Sequence, residues 1–116
     1  MKPTTKTKKS VFHGLKLVQK KELTKNAFAL EFEIPTNLEQ SYRFQSGQYV
    51  SVKFPFHGQD YQADYSITSA PHEGKFSLGI KINSPESPSA YLYKNYKIGD
   101  VLEVSEPAGR FTVETK

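Results

Sequence analysis

The residues best suited to chemistry lie between Gln62 and Pro71, where polar and apolar side chains alternate. Within this stretch an aromatic residue, Tyr65, is followed by the small hydroxyl residues Ser66 and Thr68. A strand with this pattern can hold a flat ring against Tyr65. Its hydroxyls and strand-end amides can hydrogen-bond the polar edge of that ring. The stretch therefore predicts a strand that binds a planar, polar molecule.

Other kinds of chemistry are not favoured by the sequence. Three histidines are scattered along the chain, without the spacing typical of metal ligands: His13, His57 and His72. Ser66 lacks the flanking glycines of a nucleophile elbow. Glu31 and Glu33 alternate with apolar residues and are expected on the solvent face of a strand. Neither glycine-rich phosphate-loop pattern occurs. We therefore predict no catalytic side chain and no metal ligand.

Length and composition indicate one small domain. The chain has 116 residues, enough for one modest core. No apolar run approaches the ~20 residues of a membrane span, and the first ten residues lack the apolar segment of a secretory signal. The chain contains no cysteine, which excludes disulfides and Cys-ligated iron–sulfur clusters. These features predict a cytoplasmic protein that does not enter a membrane.

The positive charge is concentrated at the N-terminus. The net charge is +4, yet residues 1–21 hold seven lysines and no acid, so the remainder of the chain is net negative. We predict a disordered basic leader over residues 1–10 and a barrel domain over residues 11–116. A basic arm can also bind nucleic acid. Because the lysines lie outside the aromatic strands, nucleic-acid binding of the kind OB folds show is the weaker alternative.

The elements that must position the Tyr65 strand are mostly β-strands. Alternating apolar residues and turn signals predict six strands, over residues 15–19, 27–34, 48–54, 61–69, 75–82 and 101–104. Residues 20–26 read as a polar turn, and residues 111–113 as a brief final pairing. Ser87 or Ser89 is expected to cap a short helix around residues 90–93. The sum is an all-β, six-stranded antiparallel Greek-key barrel with one short helix between strands 5 and 6.

Six short motifs, in order, resemble the FAD-binding barrel of the ferredoxin–NADP reductase superfamily. They are Phe44–Val50, Asp64–Ser69, Leu78–Lys81, Ser89–Leu92, Ile98–Asp100 and Pro107–Phe111. The flavohaemoglobin reductases and the reductase components of oxygenases look most similar. The opening Phe12–Leu15 stretch resembles phenylacetyl-CoA oxygenase reductases in particular. The resemblance covers about residues 10–114 and implies a flavin-binding domain.

The resemblance also implies roles for individual residues. In the family motif Arg-x-Tyr-Ser, the tyrosine packs on the flavin ring, the serine meets its N5 edge, and the arginine holds the FAD diphosphate. By this resemblance Tyr65 is the stacking residue and Ser66 the N5-side hydroxyl. The full set of implied cofactor-binding residues is Tyr65, Ser66, Ile67, Thr68, Ile80, Lys81, Ile82, Ser87 and Ser89. The last two would meet phosphate at the start of the helix.

Two positions depart from the family pattern. The arginine position is occupied by Ala63, and Glu86 stands where the phosphate loop normally has glycine. Hydrogen bonds to charged groups suggest that losing the arginine costs about 2–3 kcal/mol, or about 30–150-fold in affinity. The sequence therefore predicts weak FAD binding, truncated binding of the FMN type, or no flavin binding by the isolated chain.

The resemblance implies electron transfer from NAD(P)H, bound by a second domain, through FAD to an iron–sulfur or haem acceptor. A chain without that second domain is expected to lack NAD(P)H oxidation of its own. The departures at Ala63 and Glu86 also leave open a degenerate barrel that serves as an interaction module.

Overall fold

The structure, a computed structural model, describes residues 11–71 and 73–108. It contains six strands and one α-helix: β1 (Phe12–Thr24), β2 (Ala27–Glu33), β3 (Tyr49–Phe56), β4 (Gln59–Ile67), β5 (Phe76–Lys81), α1 (Pro88–Asn95) and β6 (Val101–Ser105). A 3-10 turn covers Thr36–Leu38. The predicted leader (residues 1–10), the predicted pairing of residues 111–113, and His72 lie outside the described residues.

The strands close into one antiparallel barrel in the order β1-β2-β5-β4-β3-β6. This arrangement confirms the predicted six-stranded barrel and the place of the helix between the fifth and sixth strands. Each strand buries alternate residues, as in β2, where Phe28, Leu30 and Phe32 are buried. The inward side chains form one continuous core.

The first strand is longer than predicted, and the expected turn over residues 20–26 is wrong. β1 continues to Thr24 because its backbone pairs with β2, for example Lys20 opposite Leu30. The turn is confined to the next two residues, where the Asn26 amide donates to Thr24 Oγ1 (3.1 Å). Polar side chains concealed this extension, since backbone pairing needs no apolar pattern.

A β-bulge in β1 changes which residues face inward. Leu17 lies opposite Phe32 and Gln19 opposite Glu31, so one extra residue, Val18, is inserted. Leu15 and Leu17 are buried before the bulge, whereas Lys20 is half-buried after it. The bulge thus turns Lys20 toward the end of the barrel that α1 covers.

The β3–β4 hairpin is tighter than predicted. Pairing runs from Tyr49–Ser66 to Phe56–Gln59, and the connection is His57–Gly58. Both turn residues have positive φ, 55° and 77°, as two-residue hairpin turns require. β4 therefore begins at Gln59 and ends at Ile67, two residues earlier at each end than the predicted 61–69.

Candidate functional site

The candidate site is a break in the hydrogen bonding between β4 and β5. These strands pair only at Ser66–Gly79 and Ile67–Leu78. Beyond that point β4 continues along β3 to Gln59, and β5 continues along β2 to Lys81. The two strands therefore separate at Tyr65 and Ile80. We call this opening, bounded by Tyr65 on β4 and by Ile80 and Lys81 on β5, the β4–β5 gap.

The backbone of β5 leaves polar groups directed at this gap. The Thr68 amide donates to Ser77 O (2.8 Å), and the Ile82 amide donates to Asn26 O (2.7 Å). Because N–H and C=O groups alternate in direction along a strand, odd-numbered residues of β5 face β4 and even-numbered residues face β2. The Lys81 N–H and C=O therefore face the gap, where the described residues provide no strand partner. An edge of this kind favours a ligand with its own donors and acceptors.

Tyr65 lies at the β4 side of the gap, on the inward face of the strand. It shares that face with Tyr61, Ala63 and Ile67, and it packs against the core while staying half-buried. Burial, and to a lesser extent the neighbouring Tyr61, raises the pKa of the Tyr65 hydroxyl to about 12. The phenol is therefore neutral at physiological pH and can still donate a hydrogen bond.

Ser66 and Thr68 are exposed and on the opposite face of β4 from Tyr65. The Thr68 hydroxyl donates to Ser77 O (3.3 Å), so its proton is already engaged. The Ser66 side chain makes no hydrogen bond among the described residues. Tyr65 and Ser66 therefore lie at the edge of the gap with their side chains on opposite faces of β4.

The isoleucines predicted at the site are mainly core residues. Ile67 and Ile80 are buried, so they can meet a ligand only through their backbone. Ile82 is half-buried and Lys81 is exposed. The structure thus brings Tyr65, Ser66 and the Lys81 backbone together at one gap and assigns the Ile67 and Ile80 side chains to packing.

Helix α1 begins at Pro88, and its N-cap is Ser87, one of the two serines predicted for this role. Ser87 Oγ accepts from the Ala90 amide (3.2 Å) and donates to Ser84 O (2.8 Å). It also lies 3.2 Å from Ser89 Oγ, and Ser89 is buried. Pro88 occupies the first helical position, where its missing N–H removes one donor. The start of α1 is thus bonded largely within the protein.

The other end of α1 is fixed by Lys20. Its Nζ donates to Tyr93 O (2.6 Å) and Tyr96 O (2.8 Å) and lies 4.7 Å from the Tyr93 ring centroid. These carbonyls have no partner further along the helix, so the ammonium group satisfies them. Tyr91, on the same helix, stacks on Phe54 of β3 with centroids 6.2 Å apart. The helix is therefore held against the end of the barrel.

A groove lies away from the β4–β5 gap. This groove, of about 910 Å³, has buried Phe32, Tyr42 and Phe76 at its floor and charged residues such as Glu39 and Arg43 on its rim. None of the residues predicted from the sequence to bind a cofactor lines it. We assign the candidate site to the gap, because Tyr65 and the Lys81 backbone lie on the two strands whose pairing stops there. The described residues contain no group of three possible metal ligands.

Sequence reasoning missed Gly79 and Tyr61. A Cβ at Gly79 would lie 2.7 Å from Thr68 Cγ2. The absence of a side chain at Gly79 therefore leaves room for the Thr68 side chain. The signal was a glycine inside an alternating strand, which often marks a close approach. Tyr61 packs against Phe54 and Phe56, with centroids 5.5 and 5.7 Å away. The available signal was the position of Tyr61 in the same alternating strand as Tyr65, which places both side chains on one face.

With this geometry established, comparison with known proteins identifies the class. A family model described as the oxidoreductase FAD-binding domain matches residues 14–113. The chain therefore belongs to this family, which confirms the resemblance noted in the sequence.

Relatives include one polypeptide of an epoxidase and a flavohemoprotein. The chain is 30% identical over 102 residues to a component of the 1,2-phenylacetyl-CoA epoxidase of Escherichia coli, covering 88% of this chain and 29% of the relative. It is 34% identical over 79 residues to a flavohemoprotein of Halalkalibacterium halodurans, covering 61% of this chain and 19% of the relative. The chain thus spans less than a third of either protein.

Solved structures share the fold. A ferredoxin NADP+ reductase of Neisseria gonorrhoeae with bound FAD and NADP superposes with a TM-score of 0.69 at 21% identity, over 85% of this chain and 39% of that one. A flavohemoglobin of Malassezia yamatoensis with bound FAD and heme gives 0.70 at 23% identity, over 88% and 26%. Phthalate dioxygenase reductase gives 0.69 at 23% identity, over 88% and 31%.

No helix among the described residues is long and apolar enough to cross a bilayer.

Proposed function

We propose that this chain is the flavin-binding domain of an NAD(P)H-dependent oxidoreductase that relays electrons from nicotinamide to an iron–sulfur or haem acceptor. Its family is described by FAD binding. Structures with the same barrel carry FAD together with NADP or heme, and one is described as transferring electrons from pyridine nucleotides to an iron–sulfur centre. NAD(P)H would reach the flavin through a further domain.

The observation that carries the proposal is the β4–β5 gap. Tyr65 offers a half-buried aromatic face at this gap, and the Lys81 backbone offers one donor and one acceptor. An isoalloxazine ring has a flat apolar body and a polar edge, so it complements both features. A bound flavin would supply the redox chemistry. The residues of this chain would orient its ring and shield one face of it from water.

We expect the chain to bind FAD with low affinity. Ala63 lies two residues before Tyr65 on the same face of β4, where an arginine would be directed toward the tail of the cofactor. Because no guanidinium is present there, we expect affinity for FAD lower by about 30–150-fold than with an arginine, from about 2–3 kcal/mol of lost interaction. Glu86 adds a negative charge beside the N-cap Ser87.

Neither alternative function gains support from the comparisons. Matches to reductases and flavohemoproteins give no reason to prefer a nucleic-acid-binding barrel or a degenerate interaction module. A cytoplasmic location stays a prediction of the sequence.

Titration of the purified chain with FAD tests the proposal. We expect saturable binding at micromolar concentrations, measured by calorimetry and by changes in the visible flavin spectrum. Tyr65→Leu should weaken binding by about tenfold or more, because it removes the aromatic face. Tyr65→Phe keeps the ring and serves as the matched control, with binding within about threefold of the original. Absence of binding at 100 µM FAD (a limit on the order of 5 kcal/mol), or equal binding by both variants, would overturn the proposal.

A further inference from the structure

We propose that the site recognises the isoalloxazine ring and not the diphosphate tail, so that it binds riboflavin and FMN at least as tightly as FAD. This inference rests on the proposed function and names the class of flavin that the same site takes. It rests on a difference in hydrogen bonding between the β4–β5 gap and the start of α1. The Lys81 N–H and C=O face the β4–β5 gap without a partner on β4, whereas the Ala90 and Tyr91 amides at the start of α1 are already hydrogen-bonded.

The amides at the start of α1 offer little to an anion. A helix N-terminus normally presents free N–H groups to a phosphate. Here Pro88 has none, the Ala90 amide donates to Ser87 Oγ, and the Tyr91 amide donates to Ser87 O (3.1 Å). Of the first four helical residues, only Ser89 keeps an amide with no bond among the described residues.

The hydroxyl groups there are also committed. Ser87 Oγ donates its one proton to Ser84 O (2.8 Å) and accepts from the Ala90 amide. In the contact between the two serines, at 3.2 Å, Ser89 must therefore be the donor. With both protons used, neither hydroxyl can donate to a phosphate unless an existing bond breaks. The preorganised cap that stabilises the helix thus competes with binding of the tail.

The charges near this end of the helix do not favour a diphosphate either. Ala63, two residues before Tyr65 on the same face of β4, brings no positive charge. Glu86 adds a negative charge directly before the cap. The basic residue in the last turn of the helix, Lys94, lies at the opposite end. Lys81 follows the gap on β5, but its side chain is exposed on the outer face of the barrel. Because Lys81 is a cation beside the gap, its side chain is tested separately below.

The ring and the tail of the flavin therefore meet different environments. The ring gains an aromatic face from Tyr65 and backbone partners from Lys81, neither of which depends on the tail. The tail gains one amide and meets a carboxylate. Its contribution to affinity should be close to zero or slightly unfavourable, and binding should depend weakly on salt because few charges pair.

Titrations of the full chain with riboflavin, FMN and FAD test the inference. We expect riboflavin and FMN to bind as tightly as FAD or up to about threefold tighter, and each constant to change by less than about twofold between low and physiological salt. Riboflavin contains the ring without any phosphate, so a tenfold or greater preference for FAD would overturn the inference. If none of the three flavins binds, the proposed function itself fails.

Substitutions at the missing arginine position sharpen the test. Ala63→Arg should raise affinity for FAD about tenfold or more and leave riboflavin unchanged. Gln62→Arg adds the same charge on the exposed face of β4 and should change neither constant. Equal gains for FAD and riboflavin in Ala63→Arg, or no gain for either, would contradict the inference that the tail lacks recognition because the arginine is missing.

Lys81→Met examines whether an exposed cation replaces the arginine. The substitution keeps the backbone groups that face the gap, so riboflavin binding should not change. We expect no change for FAD as well. A loss of FAD affinity of fivefold or more without a loss for riboflavin would show that Lys81 binds the tail and would overturn the inference.

Discussion

The two sides of β4 differ sharply in how they are paired. Toward β3, pairing covers eight positions from Tyr49–Ser66 to Phe56–Gln59. Toward β5 it covers two, Ser66–Gly79 and Ile67–Leu78. A barrel can leave part of one strand pair open when the remaining pairs and the core hold it closed. Stability therefore comes mainly from the paired wall and the core, whereas the unpaired backbone is available to bind a ligand.

The largest expected effect is in the barrel core. Phe28 is fully buried in β2 and packs on Tyr93 with centroids 4.8 Å apart. Phe28→Ala should lower the free energy of unfolding by about 3–5 kcal/mol through lost burial and a cavity. Urea unfolding measures this. A loss below about 1 kcal/mol would mean that this core does not carry the stability assigned to it.

A smaller effect is expected where the two strands meet beside the gap. Gly79→Ala should cost about 1–3 kcal/mol, because its Cβ would lie 2.7 Å from Thr68 Cγ2. The double variant with Thr68→Ser removes that methyl group and should recover most of the loss. Equal stability of the single and double variants, measured by thermal unfolding, would rule out this contact as the cause.

The next prediction concerns the stability that Lys20 contributes by binding the end of α1. Lys20→Met removes donors to Tyr93 O and Tyr96 O, and we expect a loss of about 1–3 kcal/mol. Lys21→Met is the matched control, because Lys21 is exposed on the same strand and its loss should stay below about 0.5 kcal/mol. Similar losses for both variants would point to overall charge and not to this contact.

The smallest effect concerns the Tyr65 hydroxyl at high pH. Its pKa rises from an ordinary value of 10 to about 12 in the folded chain. The unfolded chain therefore loses this proton first, and stability is retained below pH 10 and declines between pH 10 and 12. Tyr65→Phe should reduce that decline relative to the original chain in urea unfolding at pH 9 to 12. An unchanged decline would contradict the burial of the phenol.

Local pattern predicted much of this fold, and non-local pairing determined the rest. Strict alternation located β2 and β5 within one or two residues, and the serine–proline stretch limited the cap of α1 to Ser87 or Ser89, of which the structure selects Ser87. The extension of β1 was missed because a bulge at Val18 shifts its alternation. The β4–β5 gap was not predictable, since it depends on where two strands stop pairing across the barrel. The hydrogen bonds of Ser87 and Ser89 likewise required coordinates.

Amide hydrogen exchange, with and without saturating riboflavin, tests whether the flavin ring binds at the β4–β5 gap. The Lys81 amide faces the β4–β5 gap without a strand partner, whereas the Ile82 amide is bonded to Asn26 O at 2.7 Å. The Lys81 amide should exchange quickly in the free chain and slow by about tenfold or more when riboflavin binds, while the Ile82 amide stays protected in both states. An unchanged rate at Lys81 in a chain that has bound riboflavin would contradict the assignment of the ring to this gap.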